Sequence, residues 1–307
     1  MLSDELYECI PNVSEGRDPV RIERLATVLD ASPAALLHHT SDADHHRSVF
    51  TLAGTAAALT TALDALFEEA LTEIDLRRHR GVHPRIGAVD VVPFVPLPGA
   101  TAEGTRALAW QVGEGLGRRF DLPVVFYGEA ARHPANVDLA AVRRGGLDGL
   151  ALRLARDGSD AGPSVPHPTA GATAVGSRFF LVAFNVVLAT DEVRIARRIA
   201  AQIREARGGL PGVKALGLRL ASRGLTQVSM NLVDYRKTSP HRVVDAIAHA
   251  ARRLGVDWVE SELIGLAPRA ALTDGPIEDL RLVEFSDDRV LENRLAEVGL
   301  AGSMGGG

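Results

Sequence analysis

The strongest constraint on this chain is an order of hydrophobic periods that occurs twice. In the first half, "LYECIP" reads as a short strand and "DPVRIERLATVLDA" as a helix. Asp18 stands at the N-cap of that helix, Pro19 at its first position, and Ile22, Leu25 and Leu29 line one face. Strands "AALLHHT" and "RSVFTLAG" follow, then a helix through "TAAALTTALDALFEEALTEI", then the strand "AVDVVPFVP". The second half repeats this order. It runs from strand "RFFLVAFNVVL" to a helix "DEVRIARRIAAQIREA" capped by Asp191, then strands "VKALGLRLA" and "TQVSMNLVDY". A helix starting at Ser239-Pro240 and the strand "DWVESELIGLAP" close it. Each half is therefore β-α-β-β-α-β, the split βαβ arrangement. This predicts an α/β (α+β) fold of two tandem ferredoxin-like subdomains, residues 1–177 and 178–300, with a ligand cleft between them and a disordered tail at 301–307.

Between the two units lie an extra helix, "TAEGTRALAWQVGEGLGRRF", a strand, "PVVFYGEA", and a loop-rich stretch. By composition "DGSDAGPSVPHPTAGATAVGS" is either a linker or a binding loop. The glycines of "GEGLG" at 113–117 imitate a dinucleotide fingerprint, but the spacing is wrong and no strand precedes them. They sit within an amphipathic helix whose stripe is Leu108, Val112, Leu116 and Phe120.

A chain of 307 residues suits two cores rather than one. Its 46% hydrophobic and 24% charged content is that of a soluble globular protein. A formal net charge of -5 disfavours nucleic acid as a partner. The longest apolar run, "FFLVAFNVVLA", is too short to span a bilayer, so no membrane partner is expected. The one cysteine, Cys9, cannot pair within the chain, and the N-terminus carries no secretion signal. Together these predict a cytoplasmic protein acting on small molecules.

The chemistry concentrates in "HRGVHPRIGAVDVVPFVP", His79 to Pro96. Imidazole titrates near neutrality and is the natural proton shuttle at pH 7. His83 lies in a loop entering a strand, with Pro84 restricting the backbone beside it. Arg85 would favour the neutral imidazole and could dock a carboxylate bidentately. The plainer alternative is that His83 fills a turn and bonds a backbone carbonyl. His79 and His83 stand at metal-ligand spacing, but Gly81 and Pro84 break the helix this needs. His45 and His46 beside Asp42 and Asp44 read as a polar loop between strands, with a metal-dependent hydrolase as a remote alternative. Asn12, Ser14 and Glu15 follow the first strand, where they face the cleft or, for Asn12 and Ser14, cap a turn.

The segments "ECIPNVSEGRD", "RRHRGVHPRIGAVDVVPFVP", "PVVFYGEAAR", "GATAVGSRFFLVAFNVVL", "TQVSMNLVDY" and "ELIGLAP" occur in one order over residues 7 to 270. In these the chain resembles the formiminotransferase domain family. The resemblance implies two α/β subdomains with a folate tunnel between them. It implies transfer of the formimino group of N-formimino-L-glutamate to N5 of tetrahydrofolate, the co-substrate, in histidine degradation, with no metal. It assigns the catalytic acid/base to His83. It places the folate loop on Gly162, Pro163, Ser164, Val165, Pro166, His167, Pro168, Thr169, Ala170 and Gly171. Asn12, Arg47, Arg85 and Arg178 are the candidates for holding substrate carboxylates, a surface salt bridge being the alternative for each arginine. Without a cyclodeaminase segment the chain is expected to carry out the transfer alone, and to form a homodimer through its C-terminal subdomain.

The chain departs from the family pattern in "LLHHTSDADHHRSVF". His38 and Thr40 stand where an Asp-x-Asp pair is expected, and His46 where an asparagine is; Arg47 is kept. Ala170 replaces the bulk often seen before the final glycine of the folate loop. These changes leave open an altered donor, such as formiminoglycine, or a folate-binding relative without activity.

Overall fold

The structure is a computed structural model and describes residues 5–300. The expected tail at 301–307 lies outside the described residues. The chain divides into two compact units, the first reaching Arg178 and the second starting at Phe179.

The first unit begins with β1 (Leu6–Cys9), β2 (Asn12–Val13), α1 (Pro19–Asp30), β3 (Ala35–Asp42), β4 (Arg47–Thr55), α2 (Ala56–Glu73) and β5 (Val89–Pro96). β1 lies between β4 and β5, and β3 adds outside β4, all antiparallel. This is the strand order of the split βαβ motif read from the sequence. Beyond it, α3 (Ala102–Phe120), β6 (Val124–Gly128), α4 (Leu139–Val142), α5 (Gly146–Asp157) and β7 (Thr173–Ser177) extend the sheet. β7 pairs in parallel with β5 on one side and with β6 on the other.

Local signals explain where these helices start. The Asp18 carboxylate accepts from the Val20 and Arg21 amides, satisfying two orphan donors of α1. Ile22, Leu25, Ala26 and Leu29 then repeat at helical spacing and are buried. Each leucine removed from water in this way contributes about 1.5–3 kcal/mol. With α2 and α3 they cover one sheet face, packing on Tyr7, Cys9, Phe50, Leu52, Phe94 and Phe126. Cys9 is fully buried there, and burial pushes its thiol well above the ordinary value. A second, smaller core of Val91, Val125, Tyr127 and Ala174 is closed by Val142, Leu150 and Leu154 of α4 and α5.

The stretch containing α4 and α5 reads as loop in the sequence, because Gly145, Gly146 and Gly149 interrupt the Leu147–Leu150–Leu154 repeat. Gly145 and Gly146 have φ of 80° and 60°, which only glycine adopts cheaply. β2 and β7 also escape the sequence reading: one is two residues long and the other, "TAVGS", is built of small residues.

The second unit contains β8 (Val182–Leu188), α6 (Val193–Ile203), β9 (Val213–Leu220), β10 (Leu225–Leu232), α7 (Pro240–Arg253), β11 (Trp258–Ile264) and α8 (Leu291–Glu297). Its sheet runs β11-β8-β10-β9, again the split βαβ order. α6 and α7 bury Ile199, Ile203, Val243 and Ile247 against Phe184, Val186, Val228 and Met230. Ser239 caps α7 through the Arg242 amide, with Pro240 following. Asp191 does not cap α6 as expected: Glu192 holds the cap position without a side-chain bond, and its amide is taken by Thr190 Oγ1. No helix among the described residues is long and apolar enough to cross a membrane.

The "GEGLG" glycines have a packing role. A Cβ on Gly113 would come within 2.4 Å of the Phe126 ring, and one on Gly117 within 2.9 Å of the Gly162 amide nitrogen. Nothing lies within 4 Å of one on Gly115. Gly115→Ala is therefore expected to stabilise the protein by roughly 0.5–1 kcal/mol through helix propensity. Gly113→Ala and Gly117→Ala are expected to destabilise it by about 1–3 kcal/mol. Denaturant unfolding of the three variants checks the contrast.

Candidate active site

The site starts from an irregularity in β5. Asn12 pairs with Val91 while the next residue, Val13, pairs with Val89, so Asp90 is the extra residue of a bulge. Bulges re-aim side chains. Here the result is a fully buried carboxylate inside an apolar strand. Asp90 Oδ1 accepts from the Ile86 amide at 2.7 Å. Its Oδ2 accepts from Arg47 Nη1 at 2.7 Å and from Arg143 Nη2 at 2.5 Å. Burial alone would raise the Asp90 pKa, but the two guanidinium groups outweigh it and hold the carboxyl well below the usual range. Arg47 in turn is lowered to about 10 by burial and by repulsion from Arg143. Its Nε and Nη2 donate to Asn12 Oδ1 at 3.0 and 2.8 Å.

Above this cluster stands His83. Its Nδ1 lies 2.8 Å from the Pro84 carbonyl oxygen. A carbonyl only accepts, so Nδ1 carries the proton and Nε2 presents the lone pair. Among the described residues Nε2 has no hydrogen-bond partner. Arg47 Nη1 approaches the same Nδ1 at 3.3 Å, where it acts as a charge rather than a donor. Burial first, then Arg47, Arg143 and His45, push the half-buried imidazole well below its ordinary pKa. The backbone bond of the plainer sequence reading is present, and it leaves Nε2 as the nitrogen with a lone pair. Arg85 differs from expectation. Its Nη2 donates to the carbonyls of Gly81 and His83, so it braces the loop from within, and the cations that keep His83 neutral are Arg47 and Arg143.

Next to this lies a second polar cluster. Glu15 Oε1, buried, accepts from the amides of Gly16, Arg17 and Asp18 and sits 3.1 Å from His46 Nε2. Backbone donors and His46 lower its pKa against the opposing effect of burial. His79 donates from Nε2 to the His46 carbonyl oxygen at 2.9 Å, and its burial, with Arg85 nearby, lowers it to about 4. Ser14 Oγ donates to the Gly87 carbonyl and Ser48 Oγ to that of Glu15. Asp42 Oδ1 accepts the His45 amide at 2.7 Å and closes the β3–β4 turn. Among the described residues no three His, Cys, Asp or Glu side chains converge as metal ligands. Strand alternation puts His38, Thr40 and Asp42 on the face of β3 that carries Arg47 on β4, because Asp42 pairs directly with Arg47.

The glycine-rich stretch packs beside the His83 loop. The Ala88 amide donates to Ala170 at 3.0 Å, Ala172 to Ile86 at 2.9 Å, and Leu76 to Thr169 at 2.8 Å. A Cβ on Gly87 would lie 1.9 Å from the Ala172 carbonyl oxygen, so only glycine permits this approach. His167 Nδ1 accepts the Ala170 amide at 3.1 Å and folds residues 167–171 onto themselves. Residues 162–166 are more open, with Val165 exposed. Of the four arginine and asparagine candidates, Asn12 and Arg47 enter the His83 cluster directly. The Arg178 side chain, directly after β7, bonds the buried Tyr127 hydroxyl on β6.

Sequence reasoning missed Asp90 and Arg143. An acidic residue inside "AVDVVPFVP" was a readable anomaly, since an unpaired charge is not buried. "AVRRGG" carried no such signal, because only the packing of α4 and α5 brings Arg143 under the loop.

Residues 6–178 match the model of the formiminotransferase domain, N-terminal subdomain, and residues 183–301 match that of the formiminotransferase domain. The chain is 42% identical to a protein of Streptococcus pyogenes serotype M1 named glutamate formimidoyltransferase, over 95% of this chain and 99% of that one. It is 39% identical to a Thermoplasma acidophilum protein of the same name, over 94% and 97%. It is 37% identical to the Gallus gallus formimidoyltransferase-cyclodeaminase, covering 88% of this chain and 51% of that longer one. A chain matched in both halves and over nearly its whole length by such relatives belongs to the formiminotransferase family.

Proposed function

We propose that this protein transfers the formimino group of N-formimino-L-glutamate to N5 of tetrahydrofolate, giving glutamate and 5-formiminotetrahydrofolate. The observation that carries the reading is His83: a neutral imidazole whose Nδ1 proton is held by Pro84 and whose Nε2 is left for a substrate.

The chemistry asks for such a group. N5 attacks the amidine carbon, and a tetrahedral intermediate forms. The N5 proton passes to Nε2. The same proton is then delivered to the glutamate nitrogen as the carbon–nitrogen bond to it breaks. One imidazole thus serves as base and acid, which contributes about 10²–10⁴-fold. Holding two substrates in place supplies much of the rest. A base with a lowered pKa is unprotonated at pH 7 and becomes a strong acid once charged. Tetrahydrofolate is assigned to the loop Gly162–Gly171, which lies alongside the His83 loop. Asp90 keeps Arg47 and Arg143 beneath the imidazole, so the site retains a buried carboxylate although His38 and Thr40 offer none.

The assay mixes enzyme, tetrahydrofolate and formiminoglutamate and reads the methenyl product formed on acidification. Product formation is expected. Folded protein that produces none from formiminoglutamate, but does from formiminoglycine, would move the assignment to that donor. His83→Ala is expected to lower turnover by about 10²–10⁴-fold with folate binding retained. The acid limb of kcat/KM is expected below pH ~6.5, because His83 takes up its proton only below the ordinary imidazole pKa. Removing a neighbouring cation raises that pKa, so in Arg47→Gln the limb moves to higher pH.

A further inference from the structure

The loop that carries His83 is held by a neighbouring histidine. His46 sits at the end of the β3–β4 turn with φ of 53°, a left-handed conformation uncommon for a residue with a side chain. From that position its ring reaches two oxygens at once. Nε2 lies 3.1 Å from Glu15 Oε1 and Nδ1 lies 3.2 Å from the Arg80 carbonyl oxygen. The ring also stacks on His79, with centroids 3.9 Å apart and planes 18° apart. His79 returns a bond to the His46 carbonyl, and the Val82 amide donates to Asp44 in the same turn at 3.2 Å. Four ties therefore run between two short segments, 44–46 and 79–82. They fix the backbone directly before His83.

The anchor for this clip is rigid. Glu15 is held by three amides at the entrance to α1 and by Arg21. The fit is close as well: a Cβ on Gly81 would fall 2.4 Å from the His45 carbonyl oxygen and 2.7 Å from the His46 Cβ. The charged and titratable groups around the ring are Glu15 and Arg17 before α1, Arg21 on α1, His45 and Asp44 in the turn, and His79, Arg80 and Arg85 in the loop. Burial lowers the His46 pKa, so near neutral pH the ring is neutral and donates through one nitrogen while the other rests against the second oxygen. A side-chain amide could reproduce one such donor; an alanine could not.

We infer that His46 is a positioning residue: clamped between Glu15 and Arg80 and stacked on His79, it holds the 79–83 loop so that His83 meets its substrate in one orientation. The inference rests on the transfer reading above and assigns His46 no contact with the reacting atoms.

Two readouts test it. Arg77, Arg78 and Arg80 are exposed, so the loop offers trypsin several sites, and cleavage there reports how tightly it is held, independently of any activity. In His46→Ala, cleavage after Arg80 is expected to accelerate about tenfold or more, with the global melting temperature little changed. The same variant is expected to lose about 10–100-fold in kcat, with KM for both substrates within about threefold. His46→Asn, which restores an N–H donor near the position of Nδ1, is expected to recover part of both losses. Gly81→Ala, which forces the loop off the turn while leaving both histidines in place, is expected to imitate His46→Ala. Unchanged cleavage in His46→Ala, or faster cleavage with unchanged kcat, would overturn the inference. Absence of transfer by the wild type, with faster cleavage in the variant, would overturn the transfer reading while supporting the clip.

Discussion

One buried carboxylate organises the candidate site. Asp90 has no exposed surface, and two guanidinium groups share a single oxygen of it. Taking a charge out of water costs several kcal/mol unless partners replace the lost solvation. Asp90 has three: Arg47, Arg143 and the Ile86 amide. Each ties a different stretch of the chain, namely the start of β4, the α4–α5 connection, and the loop entering β5. The carboxylate thus sets the floor on which His83 rests. Breaking any one contact would leave an unpaired buried charge, which explains why these distant segments are fixed to each other.

The electrostatic result follows from the count of charges. Two cations against one anion leave the surroundings of His83 positive, and burial adds to the effect. A protonated imidazole is disfavoured there. The Pro84 carbonyl then selects which nitrogen keeps the remaining proton. Tautomer and charge state are therefore set by separate features, one by backbone geometry and the other by side chains more than 30 residues away in sequence.

Much of this was legible beforehand, and the exceptions have physical reasons. The doubled β-α-β-β-α-β order came from hydrophobic period alone, because a strand and a helix bury different spacings of residues. The resemblance singled out His83 and the glycine-rich stretch, and backbone bonds hold the segments that flank them side by side. Arg85 was credited with an effect that belongs to Arg47 and Arg143: adjacency in sequence suggested it, but its guanidinium turns back onto its own loop. α4 and α5 were hidden by glycines, and with them Arg143. The bulge at Asp90 depends on strand register, which a single sequence does not specify. Asp42, Asp44, His45 and His46 looked like loose polar residues. They form a turn whose last member clamps the loop opposite.

Cys9 carries a practical consequence. Its thiol is sealed in the core of the first unit and kept protonated by burial. Alkylating reagents attack thiolate at an accessible surface, so the folded protein behaves toward them as though it had no sulfhydryl. A single new cysteine at an open position such as Val165 could then carry a fluorophore or spin label without removal of the native one. A label there would report on the loop assigned to folate in an otherwise unaltered molecule.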